Sequence, residues 1–534
     1  MTASFDYIVI GAGSAGCVLA DRLSESGRHS VLLLEAGPPD RNPWIHVPIG
    51  YAKTFRNPRV NWMYETEPEP ELNGRKIFQP RGKVLGGTSS INGLIYIRGQ
   101  REDYDHWRQL GNPGWSFEDV LPYFRKAENQ ERGADAFHGS GGPLSVSDQR
   151  DRNLLAEAFV EAGTAIGIPR NDDFNGASQE GMGYFQTTSR NGRRCSTAAG
   201  YLKRAKARSN LSIVTDAPVR RILFKDKRAS GVEYDRAGTR ETAEAAGEII
   251  LCGGAFNSPQ LLELSGIGDG ALLSGNGVPV VHHAPSVGEN LQDHYQVRMV
   301  LEAARPLTFN DKINNPLRRI GIGLDYLLRR RGPLTVSAGF AGAFFKTRPE
   351  LATPDIQIHL IMFSADSMGE RLHPFSGFTA SICQLRPESR GSVHIASPDP
   401  QLAPAIRANY LSTEGDRRTF VDALKKTRDI LAADPIRPML KREVAPGPDV
   451  VSDNDLLAYC RDAGTTIYHP TSTCAMGPDE DAVVTPTLKV RGVERLRVAD
   501  GSVMPTVVSG NTNAPIVMIG EKAADMILAD AKTP

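Results

Sequence analysis

The sequence predicts an α/β protein (α+β overall) that is built on a Rossmann-like nucleotide-binding domain. Residues 7–10 (YIVI) form an apolar run of the kind that a parallel strand buried on both faces requires. A glycine-rich turn and a helical stretch over residues 17–23 follow this run directly. At the other end of the chain, residues 496–499 are typical of another strand, which ends at Asp500. We therefore expect a second layer of structure to be inserted between segments of the nucleotide-binding domain.

The composition excludes several classes of protein. The chain has 534 residues, which corresponds to roughly three and a half domains of about 150 residues. Its 62 Lys and Arg balance 62 Asp and Glu, so the basic surface of a nucleic-acid-binding protein is not expected. The six cysteines are scattered without a CxxC pair, which argues against a disulfide framework, a zinc ribbon or a haem attachment site.

The sequence carries no recognisable targeting segment. No apolar run approaches the ~18 residues of a membrane span, and the N-terminus lacks the basic region of a signal peptide. We expect a cytoplasmic protein, with peripheral association with a membrane as an open alternative. The basic cluster over residues 190–208 is more typical of a solvated face than of a membrane contact.

The turn after the first strand has the spacing Gly11-x-Gly13-x-x-Gly16. Gly11 permits the tight turn, Gly13 lets the backbone approach a pyrophosphate, and Gly16 lets the helix pack on the strand. The anion then lies over the N–H groups at the helix N-terminus. The second strand, Val31–Leu34, ends at Glu35, whose carboxylate can accept hydrogen bonds from an adenosine ribose and would repel the 2′-phosphate of NADP. These features predict a site for NAD or FAD, since the motif does not distinguish the two.

A second loop rich in glycine and hydroxyl side chains spans residues 81–92 (RGKVLGGTSSIN). Exposed N–H groups and small hydroxyls suit another polar, partly anionic segment of a ligand. A ligand that contacts loops near residues 11 and 86 must be long. The histidines at 282, 283 and 294 lack the spacing of a metal site, and Ser472 lies outside any GxSxG motif, so neither a metal nor a serine nucleophile is predicted.

Four segments resemble the GMC (glucose–methanol–choline) oxidoreductases. Residues 82–105 are similar to the first signature of that family, and residues 254–268 (GAFNSPQLLELSGIG) are similar to its second. Residues 468–470 (YHP) and 509–515 (SGNTNAP) are similar to its active-site segments. The resemblance implies FAD as the cofactor, a discontinuous Rossmann-like domain that binds it, and a substrate domain resting on a mainly antiparallel sheet.

We divide the chain on this basis. The FAD-binding domain is expected to consist of residues 1–155, 196–300 and 461–534, the last of which contains the active-site residues. The substrate-binding domain is expected to consist of residues 156–195 and 301–460.

The resemblance also assigns residues to the cofactor site. Asp500, which ends a strand, would lie near the pyrophosphate and ribityl groups, where a carboxylate can accept hydrogen bonds from hydroxyls. The backbone of Val219 would lie beside the adenine. In addition to Gly11, Gly13, Gly16 and Glu35, the expected cofactor-binding residues are Val84, Gly87, Asn92, Gly93, Leu94, Ile95, Val219, Asp500, Gly501, Ala514 and Pro515.

The implied chemistry requires a base. Oxidation of an alcohol moves a hydride from the carbinol carbon to flavin N5 while the hydroxyl proton leaves. His469 matches the catalytic histidine of the family, and we expect its imidazole to accept this proton. Asn513 matches the second active-site position, which is His in some members and Asn in others. An amide cannot act as a base, so Asn513 is expected to hold the alkoxide-like oxygen.

Two departures from well-known members restrict the prediction. Members with covalent FAD carry a histidine just before the position of Asn92, whereas this chain has Ile91, so non-covalent FAD is expected. Choline-using members carry a glutamate near the position of Phe340, whereas residues 336–345 (VSAGFAGAFF) are apolar here. A neutral primary alcohol is therefore expected as the substrate.

More than one function stays open at this level. The favoured interpretation is a dehydrogenase that converts a primary alcohol to an aldehyde and passes the electrons to a quinone or another non-oxygen acceptor. The alternatives are an alcohol oxidase that produces H₂O₂, a choline dehydrogenase and, from a different class, a flavin-containing lyase. The sequence leaves the oligomeric state open.

Overall fold

The computed structural model describes residues 3–367 and 369–531. Within these ranges, two seven-stranded sheets organise the chain. In order across the first sheet, the strands are Leu211–Val214, Val31–Leu34, Ala3–Ile10, Thr239–Leu251, Arg228–Arg236 and Val219–Lys225, and Leu496–Val498 also pairs with Thr239–Leu251.

The strands at the centre of the first sheet are parallel and apolar, since both of their faces are covered. Residues 7–10 and Val31–Leu34 are buried throughout. Ile8 pairs with Leu32 on one side and with Ile249 on the other. This parallel core confirms the predicted Rossmann-like layer.

The strand Thr239–Leu251 joins the parallel part of the first sheet to its antiparallel part. Its first half pairs antiparallel with Arg228–Arg236. Its last three residues pair in parallel with Leu496–Val498. A segment near the C-terminus therefore completes a sheet that begins at the N-terminus, as the strand predicted at residues 496–499 requires.

The second sheet is antiparallel throughout, which confirms the implied architecture. In order, its strands are Leu440–Ala445, Tyr295–Ala303, Gly377–Gln384, Ile356–Ile361, Ala341–Phe345 and Gly181–Tyr184, with Thr465–Thr466 beside Tyr295–Ala303. The strand Tyr295–Ala303 crosses the boundary that we predicted at residue 300. The division into domains stays a prediction.

Helices of nine or more residues in the described part of the chain are α1 (Ser14–Ser24), α2 (Arg101–Gln109), α3 (Phe117–Ala127), α4 (Leu154–Ala165), α5 (Gly254–Leu264), α6 (Pro316–Arg329), α7 (Glu414–Ala432), α8 (Asp453–Ala463) and α9 (Asn513–Asp530). Helices α1 and α9 pack closely, because Gly520 has no side chain where a Cβ atom would lie 3.2 Å from Ala15 Cα. None of the helices in the described ranges is both long enough and apolar enough to cross a membrane.

Shorter elements connect these parts. The short helices are Pro43–His46, Tyr51–Thr54, Lys203–Ala205, Gly270–Gly275 and Phe309–Ile313. Two-stranded ribbons pair Tyr64–Glu65 with Phe78–Gln79, Glu128–Gln130 with Leu144–Val146, Ser189–Arg190 with Arg193–Arg194, Ile267–Gly268 with His282–His283, and Ser392–His394 with Ala405–Arg407.

Candidate active site

A cavity extends from the first sheet to the second. Ile10, Leu34 and Leu251, each the last residue of a first-sheet strand, line one part of it. His359 and Ser381 line it from the second sheet. Ligands of α/β proteins bind at the carboxyl ends of parallel strands, so the cavity lies where the sequence predicts a nucleotide.

The glycines of the first turn lie where larger residues have no room. A Cβ atom at Gly16 would overlap the carbonyl oxygen of Gly11, and one at Gly11 would lie 2.6 Å from the carbonyl oxygen of Cys252. Gly11 also has a φ of +95°, a conformation that favours glycine. Helix α1 starts after Gly13 without a side-chain cap and without an acidic residue in its first turn. Its first N–H groups are therefore available to an anion.

Glu35 is fixed at the end of its strand by two backbone donors. The Ala12 N–H donates to Glu35 Oε2 at 2.9 Å, and the Gly37 N–H donates to Oε1 at 2.9 Å. Burial raises the pKa of Glu35 to about 7, although these hydrogen bonds act in the opposite direction. The side chain lines the cavity on the side where a ribose contact is predicted.

The structure brings the two glycine-rich loops together. The Gly86 N–H donates to the carbonyl oxygen of Ala12 at 2.8 Å. A Cβ atom at Gly87 would lie 2.6 Å from Gly13 Cα, so this contact requires a glycine. Gly13 and Gly87 both line the cavity, and one long ligand can therefore contact both loops.

The residues that follow the second loop are held by a buried arginine. Asn92, Gly93, Leu94 and Ile95 all line the cavity. Arg194 Nη1 donates to Asn92 Oδ1 at 2.6 Å, and its Nη2 donates to the carbonyl oxygen of Asn92 at 2.7 Å. Burial lowers the pKa of Arg194 to about 9. Arg194 belongs to the cluster at residues 190–208 that we interpreted as solvated, and that interpretation is wrong for this residue.

Asp500 connects the C-terminal strand of the first sheet to helix α5. Its Oδ2 accepts hydrogen bonds from the Gly254 N–H at 2.8 Å and from Ser258 Oγ at 2.6 Å. Its Oδ1 accepts the Ser502 N–H at 2.8 Å. Asp500, Gly501 and Val219 line the cavity, as expected for residues near a bound nucleotide.

Four of the expected cofactor residues lie outside the cavity lining: Gly16, Val84, Ala514 and Pro515. Gly16 lets α1 approach the preceding strand, as described above. Val84 packs in a small apolar cluster with Ile45, Val60 and Ile91. Ala514 and Pro515 are buried in the first turn of α9, whose first residue, Asn513, does line the cavity. These four residues therefore lie next to residues of the cavity wall without lining the cavity themselves.

The protonation of His469 follows from its neighbours. His294 is neutral because burial lowers its pKa to about 4. Nε2 of His294 lies 3.0 Å from the carbonyl oxygen of Leu385 and must donate to it, which leaves Nδ1 of His294 as an acceptor. Nδ1 of His469 lies 3.0 Å from that atom and therefore carries the proton. Nε2 of His469 is then unprotonated and accepts the amide N–H of Asn511 at 3.2 Å.

His469 is also kept neutral by its surroundings. Burial lowers its pKa well below the ordinary value of imidazole, and His294, His359 and Arg81 add to this effect. The imidazole is therefore uncharged near neutral pH, with its one proton on Nδ1, and can accept a second proton at Nε2. The backbone N–H of His469 donates to Asp293 Oδ1 at 2.8 Å, which fixes the position of the residue.

Two asparagines lie near the second active-site position, which we predicted at Asn513. Asn513 lines the cavity, but its amide donates to Ser14 Oγ at 2.7 Å, at the start of α1. The side chain in contact with His469 is Asn511, whose Oδ1 accepts a hydrogen bond from Gln357 Nε2 at 3.2 Å. Asn511 also lines the cavity. The two asparagines are two positions apart in the segment NTN, so the sequence pattern alone does not separate their roles.

Side chains of the second sheet reach the cavity from one cross-strand row that we did not predict. Arg298 pairs with Ser381, and Ser381 pairs with His359. All three line the cavity, because cross-strand partners share a face of the sheet. Within the described part of the chain, Arg298 Nε and both ring nitrogens of His359 are buried without a hydrogen-bond partner. Buried polar atoms of this kind indicate where a polar ligand binds.

The charged side chains at this part of the cavity are cationic. Arg298 and Arg81 line it, whereas the two lining carboxylates, Glu35 and Asp500, accept backbone N–H groups at the nucleotide site. Phe340, near which choline-using members are expected to carry a glutamate, packs against Tyr184 and Phe309 instead of lining the cavity. The charge at this end of the cavity is therefore set by Arg298 and Arg81 and not by residues 336–345.

The described residues contain no group of three or more His, Cys, Asp or Glu side chains placed to hold a metal ion. The six cysteines are buried and unpaired. The groups available for chemistry in the cavity are thus the imidazole of His469 and the polar side chains around it.

A Rossmann-like sheet with a long cavity at the carboxyl ends of its strands is typical of a nucleotide-binding protein. A buried neutral imidazole in the same cavity is typical of an oxidoreductase that removes a proton from its substrate. Models of the GMC oxidoreductase family match residues 5–296 and 387–520. The chain belongs to the GMC oxidoreductase family.

Proteins of known activity are similar over almost the whole chain. An alcohol dehydrogenase [acceptor] from Pseudomonas putida is 43% identical over 528 residues, which cover 98% of this chain and 96% of the relative. An oxygen-dependent choline dehydrogenase from Vibrio vulnificus is 43% identical over 538 residues, which cover 100% of this chain and 96% of the relative. A solved structure of formate oxidase from Aspergillus oryzae, studied for its FAD modification, has a TM-score of 0.93 at 26% identity and covers 99% of both chains.

Proposed function

We propose that this protein oxidises a primary alcohol to an aldehyde with FAD as cofactor, and that it passes the electrons to a quinone-like acceptor rather than to oxygen. The observation that carries the proposal is the unprotonated Nε2 of His469 in a cavity that begins at the glycine turn of a Rossmann-like sheet. The similarity to an alcohol dehydrogenase [acceptor] supports it.

The residues present fit FAD. The uncapped start of α1 suits a pyrophosphate, Glu35 suits a ribose, and the contact between Gly13 and Gly87 allows one ligand to cross both loops. The wall from Asn92 to Ile95 leads from these loops along the same cavity as His469. When bound, FAD supplies the two-electron acceptor, whose N5 takes the hydride of the carbinol carbon.

His469 removes the hydroxyl proton of the substrate at Nε2. The hydrogen bond from His469 Nδ1 to His294 fixes the tautomer that leaves Nε2 free, and His294 is in turn fixed by the carbonyl oxygen of Leu385. We assign the hydrogen bond to the alkoxide-like oxygen to Asn511, because its amide already lies beside Nε2. The role that we predicted for Asn513 next to this oxygen is thereby moved to the side of the cofactor, near Ser14.

The charges around the substrate favour an alcohol over choline. A quaternary ammonium group requires an anion or an aromatic face. The lining offers aromatic faces from Tyr51, Phe55, Trp62 and Tyr468, but its two carboxylates lie at the nucleotide site. The charged lining residues elsewhere, Arg298 and Arg81, are cations that repel an ammonium group. Tyr51 and His359 add polar atoms that have no hydrogen-bond partner among the described residues, and such atoms suit a substrate hydroxyl.

The test is a panel of primary alcohols and choline, mixed anaerobically with the holoprotein while the flavin absorbance is followed. We expect primary alcohols to bleach the oxidised flavin and choline to bleach it far more slowly. Turnover with an artificial quinone acceptor should then exceed turnover on air-saturated buffer. Bleaching by no alcohol would favour the lyase, faster turnover on O₂ with peroxide formation would favour the oxidase, and preference for choline would favour a choline dehydrogenase.

We expect the FAD to be bound without a covalent link. Ile91, which lines the cavity just before Asn92, has no nucleophilic atom. Precipitation of the holoprotein with trichloroacetic acid should release the yellow chromophore completely into the supernatant. Fluorescence of the denatured band on a gel is the control. A pellet that keeps its colour would contradict this prediction.

A further inference from the structure

Helix α6 (Pro316–Arg329) exposes large apolar side chains to solvent. Leu317 and Leu328 are each 81% exposed. Ile320, Leu324 and Leu327 are each more than half exposed. Single exposed leucines are ordinary on protein surfaces, but a contiguous group on one helix indicates a binding surface.

These five side chains share one face of α6. With about 100° of rotation per residue, they fall within a sector of about 120°. Tyr326, the buried residue of the helix, points in the opposite direction from this sector. Helix α6 thus packs on the protein through Tyr326 and turns its apolar face outward, the reverse of a surface helix in a globular protein.

Arginines flank the apolar face on both sides. By the same rotation, Arg318 and Arg329 lie on one side of it and Arg319 lies on the other. Arg330 follows the helix in a left-handed conformation, and its guanidinium stacks on the ring of Tyr326 at 4.7 Å. With Arg331, residues 316–331 contain five arginines and one acidic residue, Asp325, so the segment has a net charge of 5 − 1 = +4 in a chain whose formal charge is zero. Only Arg329 forms an ion pair with that aspartate among the described residues, at 3.8 Å.

A neighbouring two-stranded ribbon adds further arginines near the C-terminal end of α6. In the ribbon of Ser189–Arg190 and Arg193–Arg194, Gly192 lies against the end of α6, where a Cβ atom would be 2.7 Å from the carbonyl oxygen of Arg330. Arg190 and Arg193 are exposed. Arg190 and Arg193 therefore lie near Arg330 and Arg331, which follow the helix.

We propose that α6 binds in the interface of an anionic lipid bilayer. An amphipathic helix with an apolar face between rows of arginine lies in the plane of the membrane, with its apolar side chains among the acyl chains and its cations at the lipid phosphates. A second copy of this chain is a poorer occupant. In a two-fold dimer the same face meets itself, and the arginine rows would face each other.

The test is sedimentation of the holoprotein with vesicles. Vesicles of phosphatidylcholine and phosphatidylglycerol in a 3:1 ratio provide the anionic surface, and vesicles of phosphatidylcholine alone provide the neutral one. The variant Leu317→Gln/Leu324→Gln/Leu328→Gln makes the apolar face polar. The matched control, Leu110→Gln/Leu154→Gln/Leu402→Gln, removes three exposed leucines outside α6. Flavin absorbance and melting temperature show whether each variant is folded.

We expect the wild type and the control variant to bind anionic vesicles and to dissociate from them as salt is added. The helix variant should bind at least about tenfold more weakly, because three apolar anchors are lost. The proposal is overturned if the wild type does not bind anionic vesicles, or if the helix variant binds as the wild type does. Light scattering that shows a wild-type dimer and a monomeric helix variant would assign the face to a second copy instead.

Discussion

Replacing His469 with alanine lowers kcat by about 10²- to 10⁴-fold, the usual contribution of a positioned base. The variant keeps its FAD, because the glycine loops, Glu35 and Asp500 lie at the nucleotide site and do not depend on the imidazole. The measurement is anaerobic reduction of the flavin by a primary alcohol in a stopped-flow experiment, which reports the chemical step without the acceptor.

The pH dependence separates a lost base from a distorted site. Since burial lowers the pKa of His469, kcat/KM of the wild type should decrease on acidification only below pH 6.5, where the imidazole becomes protonated. This decrease should disappear in His469→Ala. The control is His106→Ala, which removes an exposed histidine from α2. Unchanged flavin reduction in His469→Ala would refute the proposed role, and equal losses in both variants would show that the effect is not specific.

Replacing Gly16 with alanine gives a protein without bound FAD and with a lower melting temperature. The new Cβ atom would overlap the carbonyl oxygen of Gly11, a backbone atom that cannot rotate away. Helix α1 must therefore move away from the strand, and such overpacking costs about 1–3 kcal/mol. Because the movement displaces the N–H groups that face the pyrophosphate, FAD binding is lost as well as stability.

The matched control for this variant is Gly275→Ala. Gly275 ends a short helix, has no atom within 4 Å of the position of a Cβ, and has no positive φ. We expect this substitution to leave the ratio of flavin to protein absorbance and the melting temperature unchanged. If Gly16→Ala retained a full complement of FAD, the packing of α1 against the first strand would not control the cofactor site.

The nucleotide end of the site could be predicted from sequence because its requirements are local. The turn after residue 10 needs glycines at fixed spacings, and the structure shows the backbone contacts that exclude larger residues at Gly11 and Gly16. Glu35 likewise follows from the end of one short strand. A few consecutive residues carry all of this information.

The substrate end depends on contacts between distant segments. Arg298 and His359 come together only because their strands flank Gly377–Gln384 in the second sheet. His294 meets His469 across 175 positions. The register of Ile356–Ile361 against its neighbouring strands does not follow from that segment alone, so the sequence did not indicate that His359 faces the cavity. Register is set by the whole sheet.

Two features of the site depend on local geometry that the sequence pattern does not encode. The asparagines at 511 and 513 both lie at the start of α9, and the direction of that turn decides which one meets His469. Arg194 lies in a basic run, yet its guanidinium is buried and donates to the carbonyl oxygen of Asn92. Composition describes the run as a whole and does not show that one of its cations, Arg194, is buried.

The pairing of Leu496–Val498 with Thr239–Leu251 sets the order of events during synthesis. At about 5–20 residues per second, the roughly 240 residues between Leu251 and Leu496 take about 12 to 50 seconds to synthesise. During that interval the apolar edge at Ile249 and Ile250 has no cover. A polypeptide that is truncated shortly before Leu496 therefore lacks one strand of the first sheet and leaves this edge uncovered.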